Sequence, residues 1–78
     1  MWFVYLLKCR YNTYYTWCTN NVYKRFERHT KGYVQYTKSK RPLELVSYVA
    51  FNDKYKAYNF EKYLKSGSGT AFRNKRLI

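Results

Sequence analysis

Apolar and polar positions fall into blocks that mark out strands and helices in turn. Trp2 to Cys9 (WFVYLLKC) is a near-continuous apolar run of strand length, rich in aromatic and branched residues, which predicts a strand covered on both faces. Arg10, Tyr11 and Asn12 make a turn, and Thr13 to Thr19 returns as the second strand of a hairpin. A loop of these three residues sets Cys9 opposite Thr13, Leu7 opposite Tyr15 and Tyr5 opposite Trp17. Tyr5 and Tyr15 then share one face, whereas a loop shorter by one residue would part them. Beyond the hairpin the period changes. Val22, Phe26 and His29 fall at i, i+4 and i+7 of a basic helix running to about Lys31, with Arg25 on the flank of that stripe and Thr19 or Asn20 as its cap.

Lys31 to Arg41 is a basic connection, and Pro42 opens a third strand, Leu43 to Phe51. Asn52 or Asp53 caps a second helix from Lys54 to about Lys65, on which Ala57, Glu61 and Leu64 share a face. The tail from Ser66 breaks at its glycines and leaves room for one further basic turn. With no repeat and no long linker, residues 1–78 read as one domain of the α/β (α+β) class. The expected order is β-β-α-β-α, a small three-stranded antiparallel sheet flanked by two main helices.

Composition changes the picture in one respect. At 46% hydrophobic and 23% aromatic the chain has enough to bury, yet 16 Lys and Arg against 4 acidic residues give a net charge of +12. Self-repulsion of that size points to a polyanionic partner, nucleic acid first and an anionic membrane second. No apolar run approaches the roughly 18 residues of a membrane span, and the start lacks the pattern of a signal peptide, so a cytoplasmic setting is expected. Cys9 and Cys18 fit no zinc spacing and read as buried thiols.

The few acids narrow the chemistry. Glu27 can pair with Lys31, Glu44 opens a strand, and Asp53 serves as a cap, which leaves Glu61 on an apolar face. A two-metal hydrolase needs several carboxylates and is excluded. One hydrated Mg²⁺ or Mn²⁺ held by Glu61 alone is compatible. Tyr5, Tyr15, Arg25, His29 and Glu61 therefore read in two ways, as a site or as an aromatic core with a Glu61 to Arg25 ion pair. Lys24, Lys31, Lys38, Lys40, Arg41, Lys65 and Arg73 are candidates for phosphate contacts, and Trp17 for a nucleic-acid contact through its ring.

Taken in order, these residues resemble the GIY-YIG nuclease domain family, in particular its small single-domain bacterial members. The first motif corresponds to Phe3-Val4-Tyr5 and the second to Tyr15-Thr16-Trp17. The match continues through Thr19-Asn20, Lys24-Arg25-Phe26 with His29, Thr37-Lys38, Arg41-Pro42-Leu43-Glu44-Leu45, Ala57, and Glu61 to Gly67. The resemblance implies a divalent-metal-dependent endonuclease that hydrolyses phosphodiester bonds, in DNA more than in RNA, with no small-molecule cofactor. It implies Glu61 as metal ligand, Tyr5 as general base, directly or through water, with Tyr15 orienting the water, Arg25 stabilising phosphoryl charge, and His29 assisting proton transfer or positioning. Trp17 stands where the family has glycine, and Asn12 occupies a turn position usually held by glycine. An indole there leaves open a second reading, a catalytically inactive nucleic-acid-binding module on the same fold. A third is a basic protein docking on RNA–protein or membrane surfaces.

Overall fold

A computed structural model describes residues 1–78, with the elements β1 (Trp2–Lys8), β2 (Tyr14–Thr19), α1 (Val22–Thr30), α2 (Gln35–Lys38), β3 (Glu44–Phe51), α3 (Lys54–Leu64) and α4 (Gly67–Arg76). The three strands form one antiparallel sheet in the order β2-β1-β3. β1 is central because its apolar run can be covered on both sides, and Val4, Tyr5, Leu6 and Leu7 are all buried.

The hairpin has the odd-length loop. Leu7 faces Tyr15 and Tyr5 faces Trp17, while the Cys9 N–H donates to the Thr13 carbonyl at 2.7 Å. Arg10–Asn12 form a single 3-10 turn in which Tyr11 (φ 64°) and Asn12 (φ 58°) are left-handed. Asparagine tolerates that region better than most residues, so it can stand at a turn position that favours glycine. On the other side of β1, a bulge between the Leu6–Ser47 and Leu7–Leu45 pairs leaves Val46 extra in β3.

Each sheet face carries its own core. Tyr5, Leu7 and Val22 pack with Phe3, Tyr15, Phe26, Leu43 and Leu45 on the α1 side. Val4, Cys18, Ala57 and Leu64 pack with Trp2, Phe51, Phe60 and Leu77 on the α3 and α4 side. Both cysteines are free and buried.

Several boundaries differ from the expectation. The α1 cap is Asn21, not Thr19 or Asn20. Its Oδ1 accepts the Lys24 N–H at 3.1 Å, while Thr19 Oγ1 accepts the Asn21 N–H and holds the cap in place. Asp53 caps α3 as expected, accepting the Tyr55 N–H at 2.8 Å. The Lys31 to Arg41 connection contains the one-turn helix α2, which buries Thr37. The tail is a ten-residue helix and not a single turn. Ser66 Oγ caps it through the Gly69 N–H at 3.2 Å, and the Ser47 hydroxyl ties its far end to β3 by donating to the Leu77 carbonyl at 3.1 Å. Gly69 has to be glycine, because a Cβ there would collide with the backbone of Tyr63 and Leu64. No helix is long and apolar enough to cross a membrane.

Candidate functional site

The α1-facing side of the hairpin brings two phenols and an imidazole together. The Tyr5 and Tyr15 rings lie 6.3 Å apart between centroids, and the His29 ring meets them edge-on at 5.8 and 5.1 Å. His29 is fully enclosed, at 0% exposure, so each ring nitrogen needs a partner inside the protein. The Tyr5 hydroxyl lies 2.9 Å from Nε2, and Thr37 Oγ1 lies 2.6 Å from Nδ1. The Thr37 hydroxyl also reaches the Val34 carbonyl at 3.5 Å. Assigned from this network, the Tyr5 hydroxyl donates to Nε2 and Nδ1–H donates to Thr37. Sequence reasoning gave Thr37 no role. The turn that positions it is too short to leave a periodic signal.

Protonation follows from burial. The Tyr5 phenol is pushed well above the ordinary tyrosine value by burial, which outweighs the opposing pull of the adjacent Arg25 guanidinium. Tyr15 moves the same way, again chiefly through burial, with Arg25 opposing and the nearby Glu61 carboxylate adding. His29 is pulled down from 6.5 to about 4, first by burial and then by Arg25 and Arg28. At neutral pH the cluster is two protonated phenols and a neutral imidazole beside a fixed cation. The Arg25 Nε is buried without a hydrogen-bond partner.

Glu61 comes from α3, the helix on the opposite face. Its charge raises the affinity of both Tyr15 and Cys18 for protons. The side chain is 14% exposed and pairs with Lys65 Nζ at 3.5 Å. No ion pair joins it to Arg25, so the Glu61 to Arg25 pair expected of a purely structural core does not form. Lys65 Nζ also sits 4.3 Å from the centre of the Trp17 ring, which is 41% exposed and stacks on Tyr15 at 6.1 Å and 21°. Beside the edge strand β2 runs a groove of about 570 Å³ lined by Tyr14, Tyr15, Trp17, Tyr36, Lys65 and Arg73, among others. Tyr36 packs on Tyr15 at 5.3 Å and carries Lys40 Nζ 3.7 Å from its own ring centre.

The other basic candidates lie elsewhere. Lys24 and Lys31 are on the outer side of α1 beside Arg28, with Lys31 paired to Glu27 at 2.6 Å. Lys38 and Arg41 form a second basic patch with Arg10. Arg41 spends donors internally, from Nε to the Lys38 carbonyl at 2.9 Å and from Nη1 to the Thr30 carbonyl at 3.4 Å. Asn74 accepts from the Arg73 guanidinium at 3.0 and 3.2 Å.

No three His, Cys, Asp or Glu side chains converge as a ready metal cage. The donor chemistry fits one hydrated Mg²⁺ or Mn²⁺ on Glu61. The carboxylate is a hard oxygen ligand, and its present companion Lys65 is a half-exposed side chain on a flexible stem.

Comparison with known proteins bears on the family of the chain. The family model described as the GIY-YIG catalytic domain matches residues 1–76. The UPF0213 protein YazA of Bacillus subtilis is 39% identical over 64 residues, covering 81% of this chain and 65% of YazA. A UPF0213 protein of Clostridium perfringens is 39% identical over 64 residues, covering 81% of this chain and 69% of that relative. One from Cupriavidus pinatubonensis is 37% identical over 75 residues, covering 91% and 83%. The chain thus spans just under two thirds of the length of YazA. No solved structure matches it. With its three-stranded antiparallel sheet, flanking helices and ordered motifs, the chain belongs to the GIY-YIG family, whose domain is a nuclease fold.

Proposed function

We propose that this protein is a metal-dependent endonuclease that hydrolyses phosphodiester bonds in nucleic acid, with DNA as the first substrate to test. The observation that carries the reading is Arg25, a guanidinium set beside two phenols with its Nε buried and unpartnered. The unsatisfied Nε is a cost that the fold alone does not repay, and the Arg25 side chain as a whole is only half-buried, so a phosphoryl oxygen can reach the rest of its guanidinium. In the proposed reaction a water attacks phosphorus as the bond to the leaving oxygen breaks. The water proton passes to the Tyr5 oxygen while the Tyr5 proton moves to His29 Nε2, along the 2.9 Å contact. Tyr15 orients the water, and Thr37 holds the imidazole with Nε2 as acceptor. Arg25 offsets the charge that builds on the phosphoryl oxygens. A divalent cation on Glu61, when bound, would polarise the scissile phosphate and stabilise the leaving oxygen.

The test is cleavage of labelled single-stranded, duplex and branched DNA with Mg²⁺ or Mn²⁺, with and without chelator. Tyr5→Phe removes a proton acceptor, an effect of about 10² to 10⁴ in rate. Glu61→Ala removes the metal ligand and is expected to reduce cutting at least as much. Equal activity of Glu61→Ala and the parent protein would remove Glu61 from the site.

One observation favours the second reading, an inactive binding module. Trp17 fills a position the family keeps for glycine, and the Lys65 that covers it also pairs with Glu61. That reading predicts binding without cutting by the parent protein and no activity gained in Trp17→Gly.

A further inference from the structure

The edge groove has features that hydrolysis alone does not call for. Trp17 and Tyr36 are 41% and 61% exposed, both packed on Tyr15, so three rings form a run along the free side of β2. Cations meet its rings: Lys40 lies over Tyr36, Lys65 over Trp17, and Arg73 at 5.1 Å over the adjacent Tyr14. In a chain of net charge +12, Tyr14, Trp17 and Tyr36 line this groove without belonging to either core, and Trp17 and Tyr36 cost hydration by their exposure.

We infer that the groove takes unpaired nucleotides, with a base stacking on Trp17 in place of the Lys65 ammonium and the flanking phosphates held by Lys65 and Arg73. The inference rests on the phosphodiester reading above and names the substrate class of that same site. A duplex keeps its ring faces stacked on one another and offers phosphates and groove edges only, so exposed indole and phenol faces gain nothing from it. A single strand offers both backbone charge and ring faces, the combination found where aromatic side chains line a positively charged channel. A groove of about 570 Å³ also falls in the size range of small-ligand sites. Moving Lys65 off the indole also frees the Glu61 oxygen it contacts, so strand binding and exposure of the carboxylate occur together.

Tryptophan fluorescence in a Trp2→Phe background isolates Trp17, and chelator keeps the substrate intact. The probes are a deoxyribo-oligonucleotide, the matching ribo-oligonucleotide, an abasic strand of the same length, and a duplex. Single strands carrying bases are expected to quench Trp17, while the abasic strand and the duplex leave it unchanged. Trp17→Ala should weaken base-bearing single strands by about 5- to 150-fold and leave the duplex unaffected. Trp17→Phe should recover most of the loss, which separates stacking from damage to the hairpin. Duplex binding as tight as single-strand binding, or equal losses for both in Trp17→Ala, would overturn the inference. The ribo- and deoxyribo-strands report which sugar is preferred, and failure of both to quench overturns it as well. Selective quenching in a protein that cuts nothing with either metal would sink the hydrolytic reading and leave this one standing.

Discussion

Lowering the pH should destabilise this protein chiefly through one residue. His29 is wholly buried, its ring nitrogens committed to Tyr5 and Thr37, and its folded-state value is about 4 against 6.5 in an unfolded chain. Between those values the unfolded state binds the proton and the folded state does not. Stability therefore rises with pH across the window, is nearly complete above about pH 7, and is lost as pH falls toward 4. A shift of this size, at 1.36 kcal/mol per unit, amounts to about 3 kcal/mol in the acid limit and about 2 to 3 kcal/mol between pH 7 and 4.5. For a domain of this size, that corresponds to a drop in Tm of about 10 to 20 °C. Urea unfolding at pH 7 and at pH 4.5 reads it directly. His29→Gln is the control, because an amide can keep a donor and an acceptor in place but does not titrate. Glu27, held down by Lys31, loses its own contribution in the same direction as pH falls, but it is fully exposed and is present in both proteins. The parent protein should show the steep acid loss and His29→Gln a shallow one. Equal slopes would mean that His29 is not held neutral by its surroundings, and the assignment of Nε2 as an acceptor would go with it.

Three further outcomes follow from the same contacts. Thr37→Val keeps the shape but strands the Nδ1–H of a buried ring, so a loss of about 1 to 3 kcal/mol is expected in urea unfolding at pH 7. Its cleavage rate should fall further than its substrate affinity if the imidazole has lost its orientation. Gly69→Ala drives a methyl into the Tyr63–Leu64 backbone and should cost about 1 to 3 kcal/mol or more, whereas Gly67→Ala, with open space around it, should be neutral or stabilising by up to about 1 kcal/mol. A pair of melting curves decides this, and equal effects of the two substitutions would place α4 differently. Arg25→Met should bind oligonucleotides with modest loss yet cut them poorly, measured as a larger fall in kcat than in affinity, because the guanidinium is assigned to charge that develops during the reaction.

The sheet was legible because its signals are local and redundant. The uninterrupted run of Val4 to Leu7 demanded cover on both faces, and a hairpin loop of odd length put Tyr5 and Tyr15 together. The α1 stripe was legible for the same reason, since Val22, Phe26 and His29 repeat at the helical period. What escaped was set by tertiary contact. Gly67, Ser68 and Gly69 read as a helix break by propensity, yet the glycine that lowers helix propensity is the one that lets α4 start against the backbone of Tyr63 and Leu64. The α2 turn is four residues long and leaves no period to find, so Thr37 could be seen as part of a motif but not as a partner of His29. The companion of Glu61 differs from the one a purely structural reading expects, for a different reason. Lys65 stands at i+4 on the same helix, and that local pairing forms in place of the long-range one with Arg25.

That last difference bears on which of the two original readings of the five residues is the better one. A structural core would satisfy its charges internally, and the expected way was to join Glu61 to Arg25 across the hairpin. Instead the carboxylate is met by a lysine that is half in solvent and free to leave, while the guanidinium keeps a buried donor with nothing to bond. On the proposed function, both leave room for charges that a substrate would bring. The unmet demand is an anion beside Arg25 and, once Lys65 moves, a cation on Glu61, which are the two charges a metal-bound phosphodiester carries. Arg25 Nε is the one buried side-chain polar atom left without a partner in the fold, and an unsatisfied donor of this kind is expected at functional sites more than in cores. If Arg25→Met proved more stable than the parent protein and Glu61→Gln no less so, while cleavage fell in both, the cost of holding those charges apart would have been measured along with the use the protein makes of it.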